Sequence, residues 1–450
     1  MNRTKKILLS VSVVTAFALT GCTVGASSNN TTKEMTQSKT ILEAYSNIAL
    51  DTYTNALNDA QALDKAVDEF ASTPTQTTLE KVKNAWLISR ESYGQTEAFR
   101  LSNGPIDAEE GWVAETYGAL EGQLNAWPLD ENMIDYTIDA NGAKTSGNII
   151  DTIGKFNPGG EDSKVIDVTK ITPEAISELN ENGGDANVAS GYHAIEFLLW
   201  GQDQDYSNFM KDSITNGALT AGQRPLSDFT SEVNAPRRLA YLKAASQKII
   251  NDLEVVTSAW QKEVKGTSGL YSAAILGKLK GDNASKNISN DEALKQIISG
   301  LGVFIKSELA NERIAVAVLT PSEEDEHSCF SDNTHRDIAT NYQGFKNILT
   351  STYNGKKYGP SLLDKVDTQE KAKIEKLMSS IEEKITLIDQ TAKTKEHFDY
   401  QIRPTSPMAK VIVKLKNEMR KLGDMMVPVA SANGINLTKD DVTDADETQI

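Results

Sequence analysis

The stretch Leu242-Lys243-Ala244-Ala245-Ser246-Gln247-Lys248-Ile249-Ile250-Asn251-Asp252-Leu253-Glu254-Val255-Val256-Thr257-Ser258-Ala259-Trp260 has apolar side chains at 242, 245, 249, 253, 256 and 260. That three-four rhythm places them on one face of a helix and leaves the charged residues on the other. Ile374, Leu377, Ile381, Ile385 and Ile388 repeat the rhythm with Glu and Lys between them. So do Leu294, Ile297, Leu301, Phe304 and Ile305. Residues 41–70, 78–101 and 408–422 carry weaker versions. No set of alternating strands is visible. These patterns predict an all-α chain of amphipathic helices packed into bundles.

Punctuation between the periodic segments supports this. Thr172-Pro173-Glu174 reads as a helix start, with threonine as cap and proline in the first turn. Gly183-Gly184 ends that segment. Ser190 or Gly191 opens a further helix and Gly201 closes it. Residues 266–290, rich in Gly, Ser, Asn and Lys, read as the crossing between two helical halves. The expected layout is an N-terminal bundle over 41–265 and a C-terminal bundle over 266–426, sharing an interface. Residues 427–450 read as a polar, acidic tail.

The beginning of the chain suggests an address. Arg3, Lys5 and Lys6 precede an apolar run from Ile7 to Leu19, too short for a comfortable membrane span. The run ends at Leu19-Thr20-Gly21-Cys22, which resembles a lipoprotein lipobox. Residues 1–21 are thus expected to be a signal peptide and Cys22 the lipidated first mature residue. Residues 22–40, rich in Ser, Thr and Asn, read as a flexible tether. Thr23 is not the aspartate of an inner-membrane retention signal. The expected location is therefore the bacterial cell envelope, anchored by lipid at the outer membrane. Only one other cysteine, Cys329, exists, so no intrachain disulfide is expected. Loss of the three basic residues in 1–21 takes the formal charge from −17 to −20. Such a surface repels nucleic acid and favours cations.

Three constellations have chemical potential. In Gly191-Tyr192-His193-Ala194-Ile195-Glu196 an imidazole and a carboxylate share one helix face beside the apolar Phe197-Leu198-Leu199-Trp200. Such a pair can co-ligate a metal; the bland alternative is a core histidine paired with a buried glutamate. Arg90, Tyr93, Glu97 and Arg100 recur at three and four as one polar stripe. Buried, the stripe could lend Glu97 to a metal and use arginine for an anion; exposed, it is an ordinary solvated face. His327 to Asp337 is dense in ligand-type groups, though Ser331, Asp332 and Asn333 also suit a capped loop.

Together, GxHxxE at 191–196, Gln95–Arg100 with Asn103-Gly104-Pro105-Ile106-Asp107, and Cys329-Phe330-Ser331-Asp332-Asn333-Thr334-His335-x-Asp337 resemble the imelysin family. That family includes iron-regulated protein A-like and insulin-cleaving membrane protease-like bacterial proteins. The resemblance spans about residue 40 to about 425. It implies two bundle-like helical domains, a site near their interface that includes GxHxxE, and a link to iron. His193, Glu196 and Glu97 are then the expected metal ligands, with Arg100, Ser331, Asp332 and His335 lining the pocket. The expected cofactor is a divalent or trivalent metal, iron by the resemblance, with zinc also suited to the donors. The function it implies is binding of that metal or an iron-bearing ligand in support of iron uptake, with an envelope transporter as partner.

Two alternatives remain open. A metallopeptidase would need about three ligands, a water and a base. HExxH is absent, and Phe197 after Glu196 rules out HxxEH. A carboxypeptidase-like set would need a distant histidine, from His327, His335 or His397. No GxSxG occurs, and Cys329 lacks a catalytic signature. The second alternative is a surface interaction or adhesion module with a structural His–Glu pair.

Overall fold

The computed structural model describes residues 28–139, 141–203, 217–321 and 325–445. The expected signal peptide and Cys22 lie outside them. Eight helices dominate: α1 (Ser28–Ser72), α2 (Gln76–Tyr93), α3 (Gly191–Trp200), α4 (Ala235–Ala259), α5 (Asn290–Val303), α6 (Thr334–Thr350), α7 (Thr368–Thr394) and α8 (Pro407–Asp424). The strands among the described residues form two short antiparallel pairs, Lys155–Phe156 with Ile166–Asp167 and Thr352–Tyr353 with Lys356–Lys357. The fold is mostly α, as the periodicity predicts. No helix among the described residues is long and apolar enough to cross a membrane.

The six apolar positions of 242–260 are all buried and fix α4 against α1 and α3. Burial of each larger one stabilises the fold by about 1.5–3 kcal/mol. α2 also packs on α1 and α3. In the second half, α8 packs on α7 and on the continuation of α5, and α6 packs on α7. One continuous apolar core runs through both halves. Caps set several helix starts: Thr75 for α2 in a capping box with Thr78, Ser289 for α5 and Asp367 for α7.

α6 crosses the chain where α2 ends. Residues 94–99 tighten into a 3₁₀ turn rather than extending the helix through 78–101 as the spacing predicts. A Cβ on Gly94 would lie 2.1 Å from Thr340 Oγ1, and one on Gly344 would lie 2.4 Å from the Gln95 carbonyl oxygen. Bare backbone on both sides lets α6 cross this turn closely. α5 continues directly into a π-helical segment, Phe304–Ala315, whose wider turns bring Glu308 and Arg313 to one face.

Three segments depart from their sequence reading. Residues 28–40, expected to be tether, belong to α1; the buried Ile41, Leu42, Tyr45 and Ile48 anchor the helix just after them. Residues 427–445, expected to be a loose acidic tail, pack on α5. Val429, Ala430, Ile435, Leu437 and Val442 are buried apolar anchors, all but Val442 preceding the first acidic residue, Asp440. The crossing at 266–290 holds a short helix, Leu270–Ile275, with its own small cluster of Leu270, Ala273, Ala274 and Leu279.

Candidate functional site

Ser190 is the N-cap residue of α3, and Gly191 follows with φ +86°. A Cβ on Gly191 would lie 2.5 Å from the Leu124 carbonyl oxygen, so this start demands glycine both for conformation and for space. The ten residues Gly191–Trp200 are all buried. His193 Nδ1 lies 2.9 Å from Glu196 Oε2, one turn further on. The Ser331 backbone N–H and hydroxyl donate to Glu196 Oε1 at 3.0 and 2.6 Å. Both carboxylate oxygens are thereby engaged. His193 Nε2 is buried and has no hydrogen-bond partner.

A second histidine faces the first. The rings of His193 and His327 meet edge to face at 4.7 Å between centroids. His327 repeats the arrangement: its Nδ1 lies 2.7 Å from Asp337 Oδ2, while its Nε2 has a 3.4 Å contact with Asn125 Nδ2. Each imidazole is therefore backed by a carboxylate on its Nδ1 side. Arg90 holds Asp337 through Nη2 at 3.1 Å and Nε at 3.3 Å, and donates to Asn125 Oδ1 at 2.6 Å. Its guanidinium sits 5.2–5.7 Å from the Trp86, Tyr93 and Tyr192 rings.

Burial, with Arg90 adding to it, brings His193 down to about 3, and burial with Arg313 does the same for His327. Both imidazoles are held neutral. Burial pushes Glu196 up to about 8, against the Ser331 hydroxyl. Burial also opposes the charge of Asp337, yet Arg90 and His327 hold its carboxyl well below the usual range.

Glu97 and Arg100 belong to an adjoining ion-pair network. Glu97 Oε2 accepts from Arg313 at 2.5 Å, Arg100 at 3.3 Å and Asn125 at 3.4 Å. Arg100 also donates to Glu308 at 2.8 Å and lies 3.3 Å from Glu121. Against the upward push of burial, Arg100 and Arg313 bring Glu308 down to about 2. Arg100 and Glu121 line a cavity of about 640 Å³, together with Asp107, Glu181, Glu292 and Lys295. Asn125 thus connects the histidine pair to a network that reaches this cavity.

Of the residues singled out in the sequence, His193, Glu196 and Ser331 come into direct contact, and Glu97 and Arg100 lie next along the network. Asp332 turns away from the pair to accept from His397 Nδ1. His335 turns towards Asp389, 3.6 Å from its Nε2, with Nδ1 3.0 Å from the Asp332 carbonyl oxygen. His327, Asp337, Arg90, Asn125 and Arg313 complete the site. His327 and Asp337 lay within the quoted polar loop, but nothing in their spacing singled them out from its other ligand-type groups.

Residues 49–424 match the family model for imelysin. Iron-regulated protein A of Synechococcus elongatus is 22% identical over 317 residues, covering 70% of this chain. The match spans 65% of that relative's length, just under two thirds. A crystal structure from Parabacteroides distasonis, described as an iron-regulated protein A precursor, superposes with a TM-score of 0.57 at 16% identity. The superposition covers 88% of this chain and 95% of that one. An imelysin-like protein from Psychrobacter arcticum gives 0.53 at 12% identity, covering 90% and 98%. At these identities the two structures bear on the fold alone.

Proposed function

Because the chain belongs to the imelysin family, we propose that it binds a metal, iron foremost, or an iron-bearing ligand at the bacterial cell envelope, in support of iron uptake. The observation that carries this reading is His193 Nε2, buried and without a hydrogen-bond partner. A histidine with a purely structural role normally has both nitrogens satisfied. Here the Glu196 carboxyl group on Nδ1 orients the ring, and the neutral tautomer with its proton on Nδ1 leaves the Nε2 lone pair free for a metal. His327 offers a second imidazole backed in the same way. The name of the Synechococcus relative, iron-regulated protein A, favours iron among the metals that imidazole suits.

In this reading Glu196 acts by orienting His193 rather than by touching the metal, since Ser331 and His193 engage its oxygens. Glu97 is neutralised by arginines and takes no ligand role. Among the described residues no three His, Cys, Asp or Glu side chains meet as a ready-made metal cage. Two imidazoles leave the remaining coordination positions to the donors of an incoming chelate. The acidic cavity beside Arg100 is the approach for a cationic one. The expected lipobox at Cys22 supports tethering to the outer membrane, where an envelope transporter would be the partner. His193 and Glu196 are both buried, which favours an enclosed ligand or a structural pair over hydrolysis of a peptide chain.

Isothermal titration of metal-free, untagged protein with Fe²⁺ and Zn²⁺ tests the site, alongside elemental analysis of the protein as purified. His193→Ala is expected to weaken binding at least ten-fold (a loss of ~1.4 kcal/mol or more) while keeping its helicity. Equal affinity in both proteins ends this reading. Equal affinity with a lowered melting temperature assigns the pair a structural role.

A further inference from the structure

α7 and α8 run antiparallel, with Lys384 Nζ 2.8 Å from Glu418 Oε2 and Thr391 Oγ1 4.0 Å from Met408 Sδ. Towards the start of α7 and the end of α8 the two helices leave a groove of about 520 Å³ between them. Its apolar side chains are Leu377 and Met425. Of the five apolar positions that predict α7, Leu377 alone is not buried; Ile374, Ile381, Ile385 and Ile388 are in the core. Met425 is likewise half-buried. Lys373, Lys376 and Lys421 stand exposed around the groove, and their alkyl stems extend its apolar lining.

The charges here run against the rest of the chain. The whole carries −17, yet α8 has five basic residues and two acidic ones. Those two, Glu418 and Asp424, line the groove and are answered from within. Glu418 has Lys384 at 2.8 Å, and Asp424 has Lys306 at 2.8 Å and Lys439 at 3.3 Å. Lys373 has Glu370 at 2.5 Å. Lys376, Lys410, Lys414 and Lys421 have no ion pair among the described residues. Lys410, Lys414 and Lys421 follow at four and seven residues, so they form one exposed row along α8 that ends at the groove.

We infer that this face docks an acidic amphipathic helix of a partner protein. Apolar side chains of that helix would enter the recess over Leu377 and Met425. Its carboxylates, at helical spacing, would meet Lys376, Lys421 and the row along α8. Charge complementarity selects the partner. A chain at −17 repels acidic proteins over most of its surface, so an acidic helix is steered to the face where lysines lack partners. A bilayer fits less well, because membranes are gripped by apolar side chains that project, and these are recessed. Nucleic acid would face the repulsion of the whole chain. The inference stands apart from the metal reading, since no residue is shared with the histidine pair.

The test is fluorescence anisotropy of a labelled synthetic helix, glutamates on one face and leucines on the other, titrated with the full chain. It should bind saturably, and more weakly as salt rises. Lys376→Glu with Lys421→Glu should weaken binding at least ten-fold. Leu377→Ser should weaken it without a change of charge. Lys262→Glu with Lys280→Glu reverses two exposed lysines elsewhere and should leave binding as it is. No binding by wild type overturns the inference. So does equal loss in the two double variants, or equal binding of a peptide whose leucines are replaced by serine. Sedimentation and vesicle flotation cover the other occupants. A wild-type dimer broken by Lys376→Glu with Lys421→Glu would make the occupant a second copy of this chain. Capture by phosphatidylglycerol vesicles, lost in the same variant and without peptide binding, would make it a membrane. Either result overturns the partner helix.

Discussion

Removing Arg90 tests how the second imidazole is held. Arg90 and Asp337 are each 1% exposed, with three hydrogen bonds from the guanidinium to Asp337 and Asn125. Arg90→Met keeps an unbranched apolar chain against Trp86, Tyr93 and Tyr192 but leaves Asp337 to Ser328 and His327 alone. Breaking one partner of a buried ion pair costs about 3–5 kcal/mol. With an unfolding entropy of about 2.1 cal/mol/K per residue over about 400 residues, that corresponds to a fall of about 4–6 °C in Tm. Asp337→Asn, which strands Arg90 instead, should cost a similar amount. The double variant should cost less than the sum by about 2–3 kcal/mol, because neither charge is then left alone. Urea melts followed by circular dichroism give all four corners of the cycle. The bared Asp337 should also draw a proton onto His327, raising it from about 3 towards its ordinary range, visible as an imidazole titration by NMR. A cost below about 1 kcal/mol for Arg90→Met, or additive single variants, would refute the claim that this pair anchors His327.

Other outcomes follow from the same geometry. Glu196 titrates at about 8 in the folded chain, above its usual 4.5. Its stabilising contribution is thus fully present below about pH 4.5 and lost as pH rises towards 8, at most about 1.4 kcal/mol per pH unit. Glu196→Gln should remove that part of the decline; stability profiles that stay parallel between pH 5 and 8 would contradict it. Gly191→Ala forces a Cβ onto the Leu124 carbonyl at φ +86° and should cost at least about 2 kcal/mol in chemical denaturation. A wild-type midpoint in the variant would show that the start of α3 can shift without cost. Cys22→Ala should move the protein out of the membrane fraction or stall its maturation. An unchanged fraction, with an unmodified Cys22 in wild type by mass spectrometry, would exclude the anchor.

Helix content was legible because apolar spacing is a local property. The six positions from Leu242 to Trp260 face the core because a helix has no other way to bury them together. The helix starts at Thr172 and Ser190 are legible for the same reason. The 3₁₀ turn at 94–99 was not, because it is fixed by α6 crossing from far along the chain. The site divides in the same way. His193 and Glu196 could be paired from their separation of three. His327 reaches His193 only once segments more than 130 residues apart are packed. Glu196 also accepts from Ser331, 135 residues away, and no pattern along the chain encodes that contact. The apolar anchors of 427–445 are hard to read because they are few, separated by small and polar residues, and carry no sustained helical period.

The π-helical segment has a consequence for how this chain tolerates changes in length. Glu308 and Arg313 are five residues apart and form an ion pair at 2.9 Å. In an ordinary α-helix, five residues place side chains about 140° apart. Deleting one residue between Phe304 and Glu308, and so relaxing the segment to α, would swing Arg313 off Glu97 without altering any residue of the network itself. At the end of a solvated helix a one-residue deletion is absorbed by the following loop. Here it would disconnect the ion pairs beside the histidines, so variation in helix length at this point would be read by the protein as a change in its site.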